Sequence, residues 1–181
     1  MEESNPVKEY LFNYIEKSEN KFQRLFSQTK MAEIINDILD NCYNKAALME
    51  NKEEGIGVLA TGVLHYMLTN AVLTSQRKVD HQGIEIDIVI PDLKTLDKDS
   101  KKTLIICIPK TLDKNIISEK LEQLQKIQSE KQNIWLVLTQ DLGFDKTYVI
   151  QKEKSSFSNI IYDIAKFVNV QGHSKFKILR V

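Results

Sequence analysis

The 181-residue sequence contains only two cysteines, six glycines and three prolines. Two cysteines are too few for a disulfide scaffold, and six glycines exclude a collagen-like repeat. Hydrophobic residues make up 42% of the chain and its formal net charge is zero, a combination that excludes an intrinsically disordered protein. We therefore expect an ordinary globular fold.

Long apolar runs are also lacking. No run approaches the ~20 residues that span a bilayer, and the N-terminal sequence MEESNPVKEY lacks the apolar centre of a signal peptide. Cys42 and Cys107 each lie in an apolar pattern, without a CxxC pair or a Cys/His cluster nearby. We expect a cytoplasmic protein in a reducing compartment, with no membrane association.

Arginine is scarce and the charge is unevenly distributed. The three arginines, Arg24, Arg77 and Arg180, are few for a surface that reads guanine edges by bidentate hydrogen bonds, whereas lysines suffice for phosphate contacts. Residues 1–55 carry 11 acidic and 7 basic side chains, and residues 56–181 carry 14 and 18. Either the basic part faces a polyanion, or the two parts attract each other.

The first 50 residues carry one-sided apolar stripes at helical spacing. Asn5 followed by Pro6 is typical of a helix N-terminus, and Ser18 and Thr29 are the predicted caps of a second and a third helix. Such stripes usually pack on a core, so we expect a helical layer over residues 1–55. A partner or dimer surface is the alternative interpretation.

The period of the pattern then changes from helix to strand. Residues 56–73 are apolar nearly all the way round, which predicts a buried central helix. Within Ile84–Ile90, isoleucine occupies every second position and alternates with Glu85 and Asp87. This pattern is typical of a strand with one apolar face and one face that carries two carboxylates. The β-branched run at residues 103–108 predicts a strand that is buried on both faces.

The remaining pattern predicts a helix capped by Asp113 or Asn115, strands at residues 134–138 and 148–150, a helix at 157–168, and weak alternation at 176–181. The two strands around the charged turn at residues 92–102 are predicted to form an antiparallel hairpin, and strand, helix and strand to form a parallel crossover. The expected fold is α/β: a mixed sheet flanked by helices, with a helical N-terminal layer (1–55) on an α/β core (56–181) in one compact domain.

This order of elements, over residues 56–139, resembles the core of PD-(D/E)XK nucleases, which have the restriction-endonuclease-like fold. The segments that carry the resemblance are GIEIDIVIPD at residues 83–92 and KTLIICIPK at residues 102–110. Asp87 matches the family's first acid and Lys110 matches its lysine. The position two residues before Lys110 is Ile108, where the family has Asp or Glu, and a hydrocarbon cannot ligate a metal.

The resemblance implies hydrolysis of phosphodiesters with Mg²⁺ or Mn²⁺, in which carboxylates hold the cation and a lysine orients water or offsets charge. Asp87 is then the first metal ligand, and Glu85, two residues earlier in the strand, is a second candidate. Some members of this superfamily take the second carboxylate from the following helix, where Glu119 or Glu122 is available. A solvated helix face is the more common interpretation of both glutamates.

The expected partner is DNA or RNA, and the charged turn between the two strands supplies a candidate contact surface. Its four lysines are available to phosphates, although a solvated turn has the same composition: Lys94, Lys98, Lys101 and Lys102. The sequence thus predicts a nucleic-acid-associated protein in which metal-dependent phosphodiesterase activity is weakened or lost. The alternative is a non-catalytic interaction module or homo-oligomeric scaffold, which binds a protein partner or a second copy through its N-terminal helices.

Overall fold

Four helices occupy the first part of the computed structural model, which describes residues 4–171. They are α1 (Pro6–Lys17), α2 (Glu19–Ser27), α3 (Met31–Met49) and α4 (Lys52–Asn70). Asn5 caps α1 as predicted, because its side-chain oxygen accepts hydrogen bonds from the amides of Val7 and Lys8. Thr29 does not cap α3: its φ is 56°, and α3 begins at Met31 without a side-chain cap.

Five strands form one mixed sheet in the order in which they occur in the chain. They are β1 (Gln76–His81), β2 (Ile84–Ile90), β3 (Leu104–Cys107), β4 (Ile134–Leu138) and β5 (Thr147–Val149). The pairs β1–β2 and β2–β3 are antiparallel, and the pairs β3–β4 and β4–β5 are parallel. This confirms the predicted mixed sheet.

Three further helices complete the fold: α5 (Leu93–Lys98), α6 (Lys114–Gln125) and α7 (Ile160–Val170). α6 connects β3 to β4, as the predicted parallel crossover requires. Of its two candidate caps, Asp113 is the one that accepts hydrogen bonds, from the amides of Asn115 and Ile116.

Helices cover both faces of the sheet. On one face, α1 to α4 and α7 share a hydrophobic cluster with strand residues such as Ile88 and Ile106. On the other face, Leu96 of α5 and Ile117 of α6 pack in a second cluster with Ile105 of β3. The structure is therefore a three-layer α/β sandwich, and the predicted helical N-terminal layer forms most of one outer layer.

The helical layer has no core of its own. Phe22, Ile38 and Leu64 are fully buried in the same cluster as Ile106 of the sheet. The predicted boundary between residues 55 and 56 falls inside α4, which is one continuous helix from Lys52. The N-terminal helices therefore fold together with the sheet.

Two features of the sheet differ from the sequence prediction. β1 was not predicted, because its sequence QRKVDH is polar and it lies at the sheet edge. The sequence signal for it is Gly83, directly before β2. In the structure Gln82 and Gly83 both have positive φ, as a two-residue hairpin between right-twisted strands requires. The charged turn between β2 and β3 is not a hairpin tip, because α5 and a 3₁₀ turn (Ser100–Lys102) fill it.

No helix among residues 4–171 combines the length and the apolar character needed to cross a membrane. The predicted alternation at residues 176–181 lies outside the described residues.

A close approach of α3 and α4 gives a test of the helical layer. A Cβ atom on Gly55 would lie only 2.0 Å from the carbonyl oxygen of Ala46. We expect Gly55→Ala to lower the free energy of unfolding by about 1–3 kcal/mol, because the two helices must move apart. Urea denaturation measures this difference.

Gly57→Ala on the same helix is the matched control. Its Cβ would meet the side chain of Lys110, which can move, so we expect no loss and a gain of up to about 1 kcal/mol from helix propensity. Equal stability of the two variants would contradict the close packing of α3 on α4.

Candidate functional site

Asp87 lies where β2 and β3 separate. The last residue pair between the two strands at this end is Ile88 with Ile106. Beyond it, Asp87 Oδ2 accepts a hydrogen bond of 2.7 Å from the backbone amide of Ile108. The carboxylate thus takes the place of a strand carbonyl and satisfies a buried donor at the end of β3.

The side-chain alternation of β2 breaks at Asp87. Ile86 packs in the cluster under α5 and α6, whereas Ile88 packs in the cluster under the helical layer. A regular strand would place both isoleucines on one face. In β1, Lys78 lies between the partners of these two isoleucines and has a φ of 49°. The prediction of one uninterrupted apolar face is therefore wrong at this point.

Two lysines and a glutamate act electrostatically on the Asp87 carboxylate. Burial raises the pKa of Asp87 above its ordinary value, and the Ile108 amide and the charges of Lys120 and Lys110 oppose that rise. The negative charge of Glu85 adds to the rise. The neighbourhood of Asp87 is thus a partly buried carboxylate with two ammonium groups, of Lys120 and Lys110, and a second carboxylate, of Glu85, within electrostatic reach.

Sequence reasoning missed Lys120. Its ammonium group donates a hydrogen bond to the backbone carbonyl of Glu85, so it bridges α6 and β2. Helical spacing contained the signal, because Lys120 lies three residues after Ile117 and four before Leu124, and both of these are buried against the sheet.

The other predicted acids lie apart from Asp87 or in solvent. Glu119 and Glu122 are both exposed on α6, and Glu85 is exposed on β2. Within residues 4–171, no group of three or more His, Cys, Asp or Glu side chains is arranged to hold a metal ion. Mg²⁺ and Mn²⁺ require several oxygen ligands, so these residues do not fit the expected cation site.

Glu53 approaches the same edge of the sheet from the helical layer. It lies in the first turn of α4, and the hydroxyl of Thr139, just after β4, is 3.5 Å from its carboxylate. Together with Ile108 and Pro109 it lines a small pocket. In the sequence, Glu53 and Glu54 are the acids just before the apolar part of this helix, but the pattern does not indicate which of them approaches the sheet.

Lys110 leaves the sheet toward α4. β3 ends at Cys107, and the aliphatic part of the Lys110 side chain passes over Gly57 of α4. The predicted lysine therefore lies between the Asp87 region and the helical layer, and Ile108, two residues earlier, is buried.

The four lysines of the charged turn lie elsewhere. Lys94 and Lys98 are exposed on α5, and Lys101 and Lys102 are exposed in the following 3₁₀ turn. This turn precedes β3, whereas Lys110 follows it, so the length of the strand, roughly 10 Å, separates the two groups. The predicted nucleic-acid-binding lysines are therefore not part of the surface around Asp87.

Comparison of the chain with protein-family models, curated proteins and solved structures found no match.

The hydrogen bond to Ile108 predicts a structural role for Asp87. We expect Asp87→Ala to cost about 1–3 kcal/mol of unfolding free energy, because the Ile108 amide loses its acceptor in a buried position. Asp87→Asn retains a side-chain oxygen and is the matched control. Chemical denaturation of both variants gives the comparison, and an Asp87→Ala protein as stable as wild type would contradict this role.

The raised pKa of Asp87 predicts a pH dependence. Because the folded protein holds this proton more tightly than the unfolded chain does, the charged carboxylate lowers stability at neutral pH. We expect Asp87→Asn to be at least as stable as wild type at pH 7. The difference should vanish as the pH falls below the ordinary Asp pKa of about 4. A difference that grows on acidification would contradict the assignment.

Proposed function

We propose that this protein associates with nucleic acid and resembles PD-(D/E)XK nucleases in its core, with metal-dependent phosphodiesterase activity weakened or lost. The observation that carries the proposal is the composition of the site around Asp87. The Asp87 carboxylate already accepts a hydrogen bond from a backbone amide, and its charged neighbours are Lys120, Glu85 and Lys110. This set offers few of the oxygen ligands that a divalent cation requires, whereas the two lysines are able to contact a phosphate group.

The order of elements supports the resemblance. A buried helix, an acid-bearing strand, a strand followed by lysine, a helix and a buried strand correspond to α4, β2, β3, α6 and β4. The expected acid and lysine, Asp87 and Lys110, lie at the same end of β3. The agreement concerns element order and two residues.

The proposed loss of phosphodiesterase activity rests on the positions of the carboxylates that would have to hold the metal ion. Metal-assisted hydrolysis needs carboxylates that hold the cation against the phosphate. The Asp87 carboxylate accepts a hydrogen bond from the Ile108 amide. The side chain at position 108, where the family has its second acid, is a hydrocarbon, and Glu119 and Glu122 are exposed to solvent. The lysines do not depend on a metal, so phosphate contacts survive where hydrolysis does not.

The alternative, an interaction module or homo-oligomeric scaffold, requires an available apolar surface. The apolar stripes of α1 to α3, its predicted surface, are buried in the core of the described structure. Large exposed apolar side chains occur on α3, after α4, on α6 and on α7: Leu48, Val72, Ile116 and Val170. The helical stripes therefore favour the nucleic-acid proposal over this alternative.

Fluorescence anisotropy with labelled single-stranded DNA, double-stranded DNA and RNA tests the association. We expect binding to at least one of them, with an affinity that falls steeply as salt rises, because phosphate contacts release counterions. Failure of all three probes to bind at low salt would contradict the proposal. A dimer found by light scattering in a protein that binds none of them would favour the scaffold.

Cleavage is tested on the same oligonucleotides with Mg²⁺ or Mn²⁺, with wild type beside Asp87→Asn. We expect no cleavage, or slow cleavage that is the same in both proteins and hence not due to Asp87. Metal-dependent cleavage by wild type that Asp87→Asn abolishes would contradict the loss of activity and indicate a working nuclease.

A further inference from the structure

A cleft between α1, α4 and β1 is lined by basic side chains. Lys8 of α1, Arg77 and Lys78 of β1, and Lys110 after β3 all face it. None of the described residues that line it is acidic. Four cations from three parts of the chain thus converge in a protein whose net charge is zero.

Small side chains on α4 make room for this cleft. A Cβ on Gly62 would lie 2.6 Å from Leu11, so α1 crosses α4 closely at this position. Thr61, one residue earlier, turns its hydroxyl back to the carbonyl of Gly57 at 2.8 Å. Thr61 and Gly62 of α4 therefore line the cleft with small side chains, and the Lys110 side chain passes over Gly57 of the same helix.

The backbone of β1 is distorted so that two adjacent cations face the same cleft. Neighbouring side chains of a regular strand point to opposite faces, yet Arg77 and Lys78 both line it. Lys78 has a φ of 49°, a left-handed conformation that is unfavourable for a non-glycine residue. Strain of this kind is commonly kept where function requires it.

The charges in this region are concentrated. Arg77, Lys78 and Lys110 form no salt bridge with any residue in the described part of the chain. His65 lies one turn after Thr61 on α4. Burial lowers the pKa of His65, and the positive charges of Arg77 and Lys8 lower it further. Like charges held together favour a bound anion, and the planar guanidinium of Arg77 suits a phosphate.

We propose that this cleft is where the protein holds the phosphate groups of a nucleic-acid chain, with Arg77 as the main contact and Lys78 and Lys110 beside it. The identity of the ligand rests on the proposed function, whereas the charge of the cleft requires only a phosphate-bearing anion. Lys110 joins the cleft to Asp87, so a strand bound there passes next to the degenerate site. The proposed phosphate contacts do not involve the lysines of the charged turn at the opposite end of β3.

The test compares two variants that each remove two positive charges. Arg77→Ala/Lys110→Ala alters the cleft, and Lys98→Ala/Lys101→Ala alters the charged turn. We expect the cleft variant to bind a labelled oligonucleotide about tenfold more weakly, with a salt slope reduced by roughly two. The turn variant should change affinity less than about twofold. Equal losses in both variants, or a larger loss in the turn variant, would overturn the inference.

Lys78→Gly provides a second variant that does not depend on the stability of the double mutant. Glycine adopts positive φ without strain, so we expect unchanged or higher thermal stability together with weaker oligonucleotide binding. Lower stability with unchanged binding would contradict a functional reason for the strain.

Calorimetry with pyrophosphate separates the cleft from the proposed function. Oligonucleotide binding that the cleft variant leaves intact overturns the cleft and retains the function. Pyrophosphate binding that the cleft variant abolishes, in a protein that binds no oligonucleotide, overturns the nucleic-acid ligand and retains a phosphate cleft. Binding of neither probe overturns both.

Discussion

The hydrogen bond from the Ile108 amide to the Asp87 carboxylate is the constraint on which the candidate site depends. It ends the pairing of β2 with β3 and satisfies a donor that would otherwise be buried without a partner. Beyond this bond the chain leaves the sheet at Pro109, and Lys110 crosses to α4. One side chain thereby fixes both the end of a central strand and the position of the lysine that follows it.

The same bond determines the electrostatic character of the region. One oxygen of the carboxylate already accepts from the backbone, and its charged neighbours are two lysines from different parts of the chain, Lys110 and Lys120, together with Glu85. On the helical side of Lys110, the cleft adds Lys8, Arg77 and Lys78. Basic side chains thus occur from α6 past the end of β3 to α1, and the proposed phosphate contacts rest on them.

Local patterns predicted much of the fold. The alternation at Ile84–Ile90 and the apolar run at Ile134–Leu138 gave β2 and β4 with their observed bounds, because burial on defined faces sets such patterns within each segment. Asn5 likewise marked the start of α1. The edge strand β1 pairs with one neighbouring strand only and has no fully buried residue, so its polar sequence carried no comparable signal.

The site was less predictable, since it depends on geometry between elements. Period two placed Glu85 and Asp87 on one uninterrupted face, but the left-handed backbone at Lys78 accompanies a break in that alternation. Arg77 was noted only for the scarcity of arginine, because nothing in its sequence neighbourhood indicates that Lys110, 33 residues later, meets it in one cleft. Such convergence is a tertiary property.

The most direct test of this account is a ¹³C NMR titration of the Asp87 carboxylate, with and without millimolar Mg²⁺. If Asp87 is held by Ile108 among lysines, its pKa lies above the ordinary Asp value and Mg²⁺ leaves both that pKa and the Ile108 amide resonance unchanged. A pKa that Mg²⁺ lowers, with a shift of the Ile108 amide, would show that Asp87 binds the cation and would contradict the account.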